Sequence, residues 1–252
     1  MEVTAPRPAP SALRLPAADA QVWELVTRMR RGLPLNLAEY LLVVEGLAFP
    51  TAPGVLRVVA EALAEAEADH LLVGGFAVGA LAAHPRATVD IDLIVRRDQA
   101  PRFLAALTTR LGPLSVEHFK ALERVQNPPL DLIISDATAL RRMALDPALS
   151  QPVDLDGLEL RLPLPELAIV LKYAAAVSLS RSAEDADQDL TDLRRVVAHH
   201  PDLDLDRLGR IVRTLRTRSP KEIGQIIATL RAGGGVVVTR GGSRARVVCV
   251  MP

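Results

Sequence analysis

The sequence predicts an α+β protein in which a mixed sheet flanked by helices is followed by a C-terminal helical domain. Between residues 51 and 163, short apolar runs of strand length alternate with segments that have the apolar spacing of helices. From Pro165 to Arg231 only the helical spacing continues, and it is interrupted at His200-Pro201 and Ser219-Pro220. A chain of 252 residues is long enough to bury a sizeable core.

Composition divides the chain into five segments. They are a proline-rich leader predicted to be disordered (1–19), a helical hairpin broken at Gly32 to Pro34 (20–50), the α/β core (51–163), the C-terminal helical domain (164–232), and a glycine-rich tail (233–252). The helical hairpin has two interpretations, because it either packs against the body of the protein or docks a partner. The tail either forms a hairpin or stays loose.

Charge and cysteine content exclude several classes of protein. Thirty basic residues balance thirty acidic ones, so no global cationic field draws the chain onto nucleic acid. The single cysteine, Cys249, excludes an internal disulfide framework and a cysteine-based zinc site, and it is compatible with a reducing compartment. No uncharged apolar run reaches the ~18 residues typical of a membrane span. We therefore expect a soluble, cytoplasmic protein that does not engage a membrane.

Two aspartates lie two residues apart in the apolar segment from Thr88 to Val95. Side chains alternate across a strand, so Asp90 and Asp92 are predicted to project from the same face. Adjacent carboxylates repel each other, and a divalent cation relieves that repulsion. Mg²⁺ prefers one or two carboxylates together with phosphate and water oxygens. Taken alone, the pattern also fits an exposed edge strand with two solvated acids.

A third carboxylate, Asp131, lies in the apolar run from Leu130 to Ser135. An unpaired carboxylate is costly to bury, so this position is unusual for a purely structural residue. We expect its strand to neighbour that of Asp90, which would complete a site for two metal ions.

A glycine pair, Gly74-Gly75, ends one predicted strand and opens a helix. Glycine allows the backbone to approach phosphates closely, and a helix N-terminus presents unpaired N–H groups and the positive end of a dipole. The pair therefore predicts a phosphate cradle, although a plain turn also uses two glycines. The sequence matches neither a P-loop nor a dinucleotide-binding glycine motif.

The run from Leu72 to Val95 resembles the signature of the DNA polymerase β-like nucleotidyltransferases, and most of all their minimal, AbiEii-like toxin and antitoxin branch. In that family a glycine pair opens the helix after the first strand, an Arg-x-Thr sequence precedes Asp-x-Asp, and a third acid follows on a later strand. The resemblance implies a nucleotidyltransferase fold and assigns Gly74, Gly75, Arg86 and Thr88 to nucleotide binding. It assigns Asp90, Asp92 and Asp131 to metal binding and catalysis.

The resemblance extends into the helical domain, where the family uses a lysine, an arginine and acids. Lys172, Arg181 and Asp189 occupy comparable positions, and the resemblance gives all three to nucleotide binding and Lys172 also to catalysis. Family members often have Lys-Asp where this chain has Gln188-Asp189, so the assignment of the acid stays open between Asp189 and Asp185, Asp187 or Asp192. Lys172 itself either reaches phosphates or extends to solvent from an apolar helix.

The implied activity is Mg²⁺- or Mn²⁺-dependent transfer of a nucleoside monophosphate from an NTP to a hydroxyl. Family members use tRNA 3′ ends, protein side chains or small molecules such as aminoglycosides as acceptors, and toxin–antitoxin members have a cognate toxin or antitoxin. Arginines between residues 194 and 218 form either an RNA-binding face or a solvated face balanced by acids. The alternative function is a catalytically inactive scaffold that binds a partner, because a fold does not guarantee activity.

Overall fold

The computed structural model describes residues 17–49, 54–85, 88–215, 218–241 and 244–250. The predicted leader therefore falls outside it except for residues 17–19, where the first helix already begins. The helices are α1 (Ala17–Arg30), α2 (Leu37–Ala48), α3 (Val55–Glu65), α4 (Gly74–Leu81), α5 (Ala100–Leu111), α6 (Ala139–Ala144), α7 (Pro165–Ala176), α8 (Ala183–His199), α9 (Leu205–Val212) and α10 (Pro220–Arg231).

The strands form one mixed sheet and two separate hairpins. They are β1 (His70–Val73), β2 (Ile91–Val95), β3 (Val116–Phe119), β4 (Leu122–Val125), β5 (Leu130–Ile134), β6 (Ser150–Leu155), β7 (Leu158–Pro163), β8 (Gly235–Gly241) and β9 (Arg244–Val250). The sheet has the order β1-β2-β5-β4-β3, in which β2 and β5 are parallel and the other neighbours are antiparallel. The pairs β6–β7 and β8–β9 are antiparallel hairpins. This is the mixed α+β architecture that the sequence predicts.

The two faces of the sheet bury two different cores. Leu72, Leu93 and Leu132 point to one side and join a core that includes residues of α2, α3 and α5. Leu71 and Ile94 point to the opposite side and join a core built with residues of α7, α8 and the later helices. Because side chains alternate along a strand, even-numbered residues of β2 face the C-terminal helices. The second residue of β2 is therefore directed towards these helices.

Two strands were not foreseen by the periodicity of the sequence. β4 has the sequence Leu-Glu-Arg-Val, whose two central charges hide its strand character, and β6 contains Pro152 and Asp154. Neighbouring strands override these weak local preferences by pairing with β4 and β6. The omission of β4 matters for the site, because β4 lies next to β5.

The helix α2 is integrated into the body of the protein. Leu41 and Val44 are fully buried, and α2 packs against α4. The buried Glu45 accepts a hydrogen bond from the Leu56 backbone N–H at 2.6 Å, which fastens α2 to the start of α3. Burial raises the pKa of Glu45, although hydrogen bonds from the backbone at Leu56, Gly54 and Val55 oppose that rise. The predicted helical hairpin was expected either to pack against the body of the protein or to dock a partner, and α2 packs against the body.

The glycine-rich tail forms a hairpin against the helical domain. Val236 and Ala245 are buried, and β8 packs against α8 and α10. Over the described part of the chain, no helix has the length and apolar character needed to cross a bilayer.

A substitution at Glu45 tests how strongly its carboxylate fastens α2 to the start of α3. We expect Glu45→Ala to lower the free energy of unfolding by about 1–3 kcal/mol, because it leaves N–H donors at the start of α3 without their acceptor. Glu24→Ala, at an exposed position of α1, serves as the control and should change stability by less than about 0.5 kcal/mol. Denaturant unfolding measures both values, and equal small losses would show that the α2–α3 contact contributes little.

Candidate functional site

Three carboxylates meet at one end of the two parallel strands. Asp92 is the second residue of β2 and Asp131 the second residue of β5, and the strand register places them directly opposite each other. Asp90 lies in a bend just before β2, not within the strand as the sequence predicts, yet its side chain reaches the same place. One ligand atom from each of the three aspartates lies within 4.8 Å of the other two. The strand of Asp131 neighbours that of Asp92, as expected from the sequence.

The charge on Asp92 is destabilised by its surroundings. Burial raises the pKa of Asp92, and the carboxylates of Asp90 and Asp131 raise it further. Lys172 and Arg181 oppose this rise, but the pKa still reaches about 7. A cation placed among the three carboxylates would stabilise the ionised form of Asp92 and oppose the shift.

The glycine at the start of α4 is required by the position of Asp92. Gly74 has a φ of +65°, and a Cβ built on it would overlap the Asp92 carboxylate, with Cγ only 2.7 Å away. Gly75 follows as a buried residue of the first turn. The N-terminus of α4 therefore lies directly against the carboxylate group, where its N–H groups are suited to anionic oxygens.

Thr88 also belongs to this end of the site. Its Oγ1 donates a long hydrogen bond, 3.4 Å, to Asp90 Oδ1. Arg86, which the family resemblance assigns to nucleotide binding, lies outside the described residues.

The C-terminal helices contribute a buried ionic network across from the sheet. The Lys172 ammonium lies 2.9 Å from Asp189 Oδ1 and 2.8 Å from Asp192 Oδ2, and these two acids are at most 2% exposed in their side chains. Burial acts to lower the pKa of Lys172, but the two carboxylates outweigh it and raise the pKa above its usual value. Lys172 is itself 9% exposed, so the alternative in which it extends to solvent is wrong.

Arg181 joins this network from the solvent side. Its Nε lies 3.0 Å from Asp189 Oδ2, so Asp189 is shared between two cations. Of the acids that the sequence leaves open, Asp185 and Asp187 are exposed, whereas Asp189 and Asp192 are buried. Lys172 and Arg181 both lower the pKa of Asp92, so the network lies within electrostatic reach of the carboxylates.

Two arginines near the site were missed by sequence reasoning. Arg124, on β4, donates from Nε and Nη2 to both oxygens of Asp131 at 2.8 and 2.9 Å. Arg240, on β8, donates to the carbonyl of Arg181 and, at 3.0 Å, to that of Ser182. Recognising β4 as a strand would have indicated Arg124. The contact of Arg240 joins segments 58 residues apart, and we find no local sequence signal for it.

Several of the arginines proposed as an RNA-binding face have acidic partners. Arg207 lies 3.3 Å from Glu166 and 3.6 Å from Asp204, and Arg218 lies 3.1 Å from Glu222. These contacts favour the interpretation of a balanced, partly structural face for those residues.

The donor set fits a hard divalent cation. Three carboxylates offer the oxygen ligands that Mg²⁺ and Mn²⁺ prefer, and phosphate oxygens and water would complete the coordination. Gly74 keeps the adjacent backbone close to these oxygens without a side chain between them. Within the described ranges, this is the one group of three or more His, Cys, Asp or Glu residues with such spacing.

Comparison with known proteins finds structural likeness only. No protein-family model and no curated protein matches the chain. The chain is similar to the solution structure of the antibiotic-resistance factor ANT(2'')-Ia, with 16% identity and a TM-score of 0.44 over 65% of this chain and 90% of that one. It is similar to the crystal structure of ANT(2'')-Ia with adenylyl-2''-tobramycin, with 18% identity and a TM-score of 0.45 over 65% of this chain and 96% of that one. It is also similar to an antigenic nucleotidyltransferase-like protein from Paracoccidioides brasiliensis, with 16% identity and a TM-score of 0.46 over 69% of this chain and 90% of that one. These neighbours are of the nucleotidyltransferase type. At such TM-scores, function has to be argued from this chain's own residues.

A substitution at Gly74 tests whether its size protects the carboxylate site. We expect Gly74→Ala to lower the free energy of unfolding and to weaken Mn²⁺ binding, because the new methyl group displaces the Asp92 carboxylate. Gly157→Ala is the matched control, since Gly157 also has a positive φ but has open space around it. Both variants should lose about 1–2 kcal/mol from the backbone conformation, and only Gly74→Ala should lose more. Equal losses and unchanged Mn²⁺ affinity in both would contradict the proposed contact.

The raised pKa of Asp92 predicts how the stability of the metal-free protein depends on pH. Because the pKa rises from 3.8 to about 7 on folding, the folded chain keeps a proton that the unfolded chain loses between these values. The free energy of unfolding should therefore fall as pH rises from about 4 to about 7 and then level off, as far as Asp92 contributes. Asp92→Asn should lack this component.

Thermal unfolding in chelator, at a series of pH values, checks this expectation. The Tm of wild type, relative to that of Asp92→Asn, should fall as the pH rises to about 7. A difference that stays constant over this range would show that Asp92 titrates normally.

Proposed function

We propose that the chain is a Mg²⁺- or Mn²⁺-dependent nucleotidyltransferase that moves a nucleoside monophosphate from an NTP to a hydroxyl acceptor. The observation that carries this proposal is the group of Asp90, Asp92 and Asp131, whose ligand atoms converge within 4.8 Å beside the N-terminus of α4. A carboxylate group next to unpaired helix N–H groups suits a metal-bound polyphosphate, since it offers ligands for the cation and donors for the anion.

The carboxylates and the helix would divide the work of binding. Asp90 and Asp92 would hold the cation, and Asp131 would act as the third ligand on the acceptor side. Gly74, Gly75 and the N-terminus of α4 would receive phosphate oxygens. The metal would neutralise charge on the phosphates and on the attacking and leaving oxygens.

In the transfer itself, the acceptor hydroxyl oxygen would form a bond to the α-phosphorus while the bond from that phosphorus to the pyrophosphate oxygen breaks. The hydroxyl proton would pass to a nearby carboxylate or to water, and pyrophosphate would leave. Such chemistry depends mainly on positioning and on neutralising developing charge.

The cationic side chains of the helical domain fit the phosphate side of this scheme. The Lys172 ammonium has three N–H donors, and its contacts with Asp189 and Asp192 account for two of them. We assign the third donor to the nucleotide, with Asp189 holding both Lys172 and Arg181 in place. We also assign Arg86 and Thr88 to the nucleotide, and Thr88 already contacts Asp90.

For the acceptor we propose a tRNA 3′ end or a protein side chain, in a toxin–antitoxin or defence system with a cognate partner. The AbiEii-like run from Leu72 to Val95 supports this choice. ANT(2'')-Ia, whose crystal structure is of a complex with adenylyl-2''-tobramycin, makes small-molecule hydroxyls the competing acceptor class. We further propose that residues 51–163 form the catalytic core, that 164–232 supply the cations opposite it, and that the protein works in the cytoplasm.

The second candidate function is an inactive scaffold that binds a partner. One observation favours it: Arg124 occupies both oxygens of Asp131, which is one of the three carboxylates needed for the metal site. This alternative predicts that neither nucleotide binding nor transfer depends on the aspartates.

A transfer assay separates the two functions. Wild type, Asp90→Ala and Asp92→Ala are incubated with Mg²⁺, each labelled NTP, and separate pools of tRNA, protein and aminoglycoside acceptors. We expect label transfer by wild type and a loss of about 10²-fold or more in both variants, because the donor phosphates lose their metal. Asp136→Ala, which removes an acid beyond the other ends of β2 and β5, is the control and should keep activity.

The same variants can be compared by thermal unfolding with NTP and Mg²⁺. Binding should raise the Tm of wild type, and the rise should need the metal and both aspartates. Absence of any aspartate-dependent transfer and of any metal-dependent shift would leave the inactive scaffold as the function.

A further inference from the structure

A row of charged residues crosses the sheet at the carboxylate site. The strand register places Glu117 of β3 opposite Arg124 of β4, Arg124 opposite Asp131 of β5, and Asp131 opposite Asp92 of β2. Residues directly opposite each other on neighbouring strands share a face of the sheet. The carboxylate site is therefore continued towards the edge of the sheet by a cation and then by another acid.

The cation in this row contacts both oxygens of the third carboxylate. Arg124 forms two parallel hydrogen bonds, of 2.8 and 2.9 Å, to the two oxygens of Asp131. This bidentate geometry is the strongest that an arginine and a carboxylate can form. The same carboxylate belongs to the group within 4.8 Å of Asp90 and Asp92. Arg124 and a metal ion would therefore compete for the same oxygens.

Arg124 is placed so that it can leave Asp131 without losing all its contacts. Its side chain is 45% exposed, whereas that of Asp131 is 12% exposed, so the arginine is the partner with open space beside it. Glu117 lies opposite it on the other side, and its carboxylate adds to the raised pKa of Arg124 after Asp131 itself. The guanidinium carbon already lies 5.9 Å from the centre of the Phe119 ring, which offers a cation–π contact.

We propose that Arg124 is an exchangeable internal cation that holds Asp131 in the metal-free protein, yields it when metal binds, and then turns towards Glu117 and Phe119. Arg124 is thus a positioning residue that sets the affinity of the third carboxylate for metal. This inference rests on the proposed metal-dependent function and adds to it a reason why the fold tolerates the repulsion among the carboxylates before metal arrives.

The chain contains a matched pair for comparison. Arg97 and Asp136 form the same bidentate contact, with Nε and Nη2 at 2.8 and 3.1 Å from the two oxygens. They lie just beyond the other ends of β2 and β5, and both side chains are about half exposed. Loss of this pair removes an arginine–aspartate contact near the opposite end of the sheet without touching the carboxylate site.

The test is a titration of Mn²⁺ into the full chain after removal of metal with chelator, with free Mn²⁺ measured by electron paramagnetic resonance. Arg124→Gln should bind Mn²⁺ about tenfold more tightly than wild type, or more, because no internal cation has to be displaced. Arg97→Gln should bind like wild type. The gain in Mn²⁺ affinity expected for Arg124→Gln should disappear in the double variant that also carries Asp131→Asn.

Arg124→Lys distinguishes occupancy of the carboxylate from the general effect of a nearby charge. Lysine keeps the charge but cannot form the two-bond fork, so we expect a smaller gain in Mn²⁺ affinity in the same direction. If Arg124→Lys matched wild type while Arg124→Gln gained, the effect would come from net charge alone and the exchange would be wrong.

Thermal unfolding gives a second readout that does not depend on activity. In chelator, Arg124→Gln should have a lower Tm than wild type, and saturating Mn²⁺ should raise its Tm by more than it raises that of wild type. Equal Mn²⁺ affinity and equal Tm shifts in both proteins would overturn the exchange while leaving the metal site intact. A failure of Mn²⁺ to bind to any variant would overturn the metal site, and the proposed function with it.

Discussion

Electrostatic repulsion among Asp90, Asp92 and Asp131 is the constraint on which the arrangement of the site depends. The pairing of β2 with β5 forces Asp92 and Asp131 into opposite positions, and the bend before β2 adds Asp90. Like charges this close destabilise one another, and partial burial increases that cost. The surrounding elements reduce it from three sides, with the N-terminus of α4, with Arg124 from β4, and with the cations of α7 and the loop before α8.

The helical domain is joined to the sheet through this electrostatic balance. Lys172 is buried between Asp189 and Asp192, so the packing of α7 on α8 places an ion network opposite the carboxylates. A buried network is weak evidence for stability, because desolvation offsets much of the attraction, but removing one member leaves an uncompensated charge. The tail adds to this arrangement, since Arg240 binds the carbonyls of Arg181 and Ser182 at the start of α8. A segment with no evident role in the sequence therefore fixes the loop that carries Arg181.

The parts of the site that the sequence predicts are those that depend on residues close together in the chain. Three local patterns indicate a shared site. They are the two-residue spacing of Asp90 and Asp92, the acid in the apolar run of β5, and the glycine pair. The pairing of Arg124 with Asp131 depends on recognising β4, whose central residues are charged, and strands of this kind are defined by their neighbours. The partners of Lys172 are 17 or more residues away, so periodicity shows that the lysine lies in an apolar helix but not what neutralises it.

A comparison of the Arg97–Asp136 pair with the Arg124–Asp131 pair shows why the carboxylate end of the strands is suited to a cation. Beyond the other ends of these strands, the Arg97 guanidinium faces the Asp136 carboxylate at about half exposure, and the charges of this pair balance. At the carboxylate end, three carboxylates face one guanidinium, so these four side chains carry an excess of two negative charges when all are ionised. Burial and this excess together raise the pKa of Asp92, and a proton on Asp92 removes one of the charges in the metal-free protein. A divalent ion would offset this negative charge without protonating a ligand, and it would then replace Arg124 at Asp131.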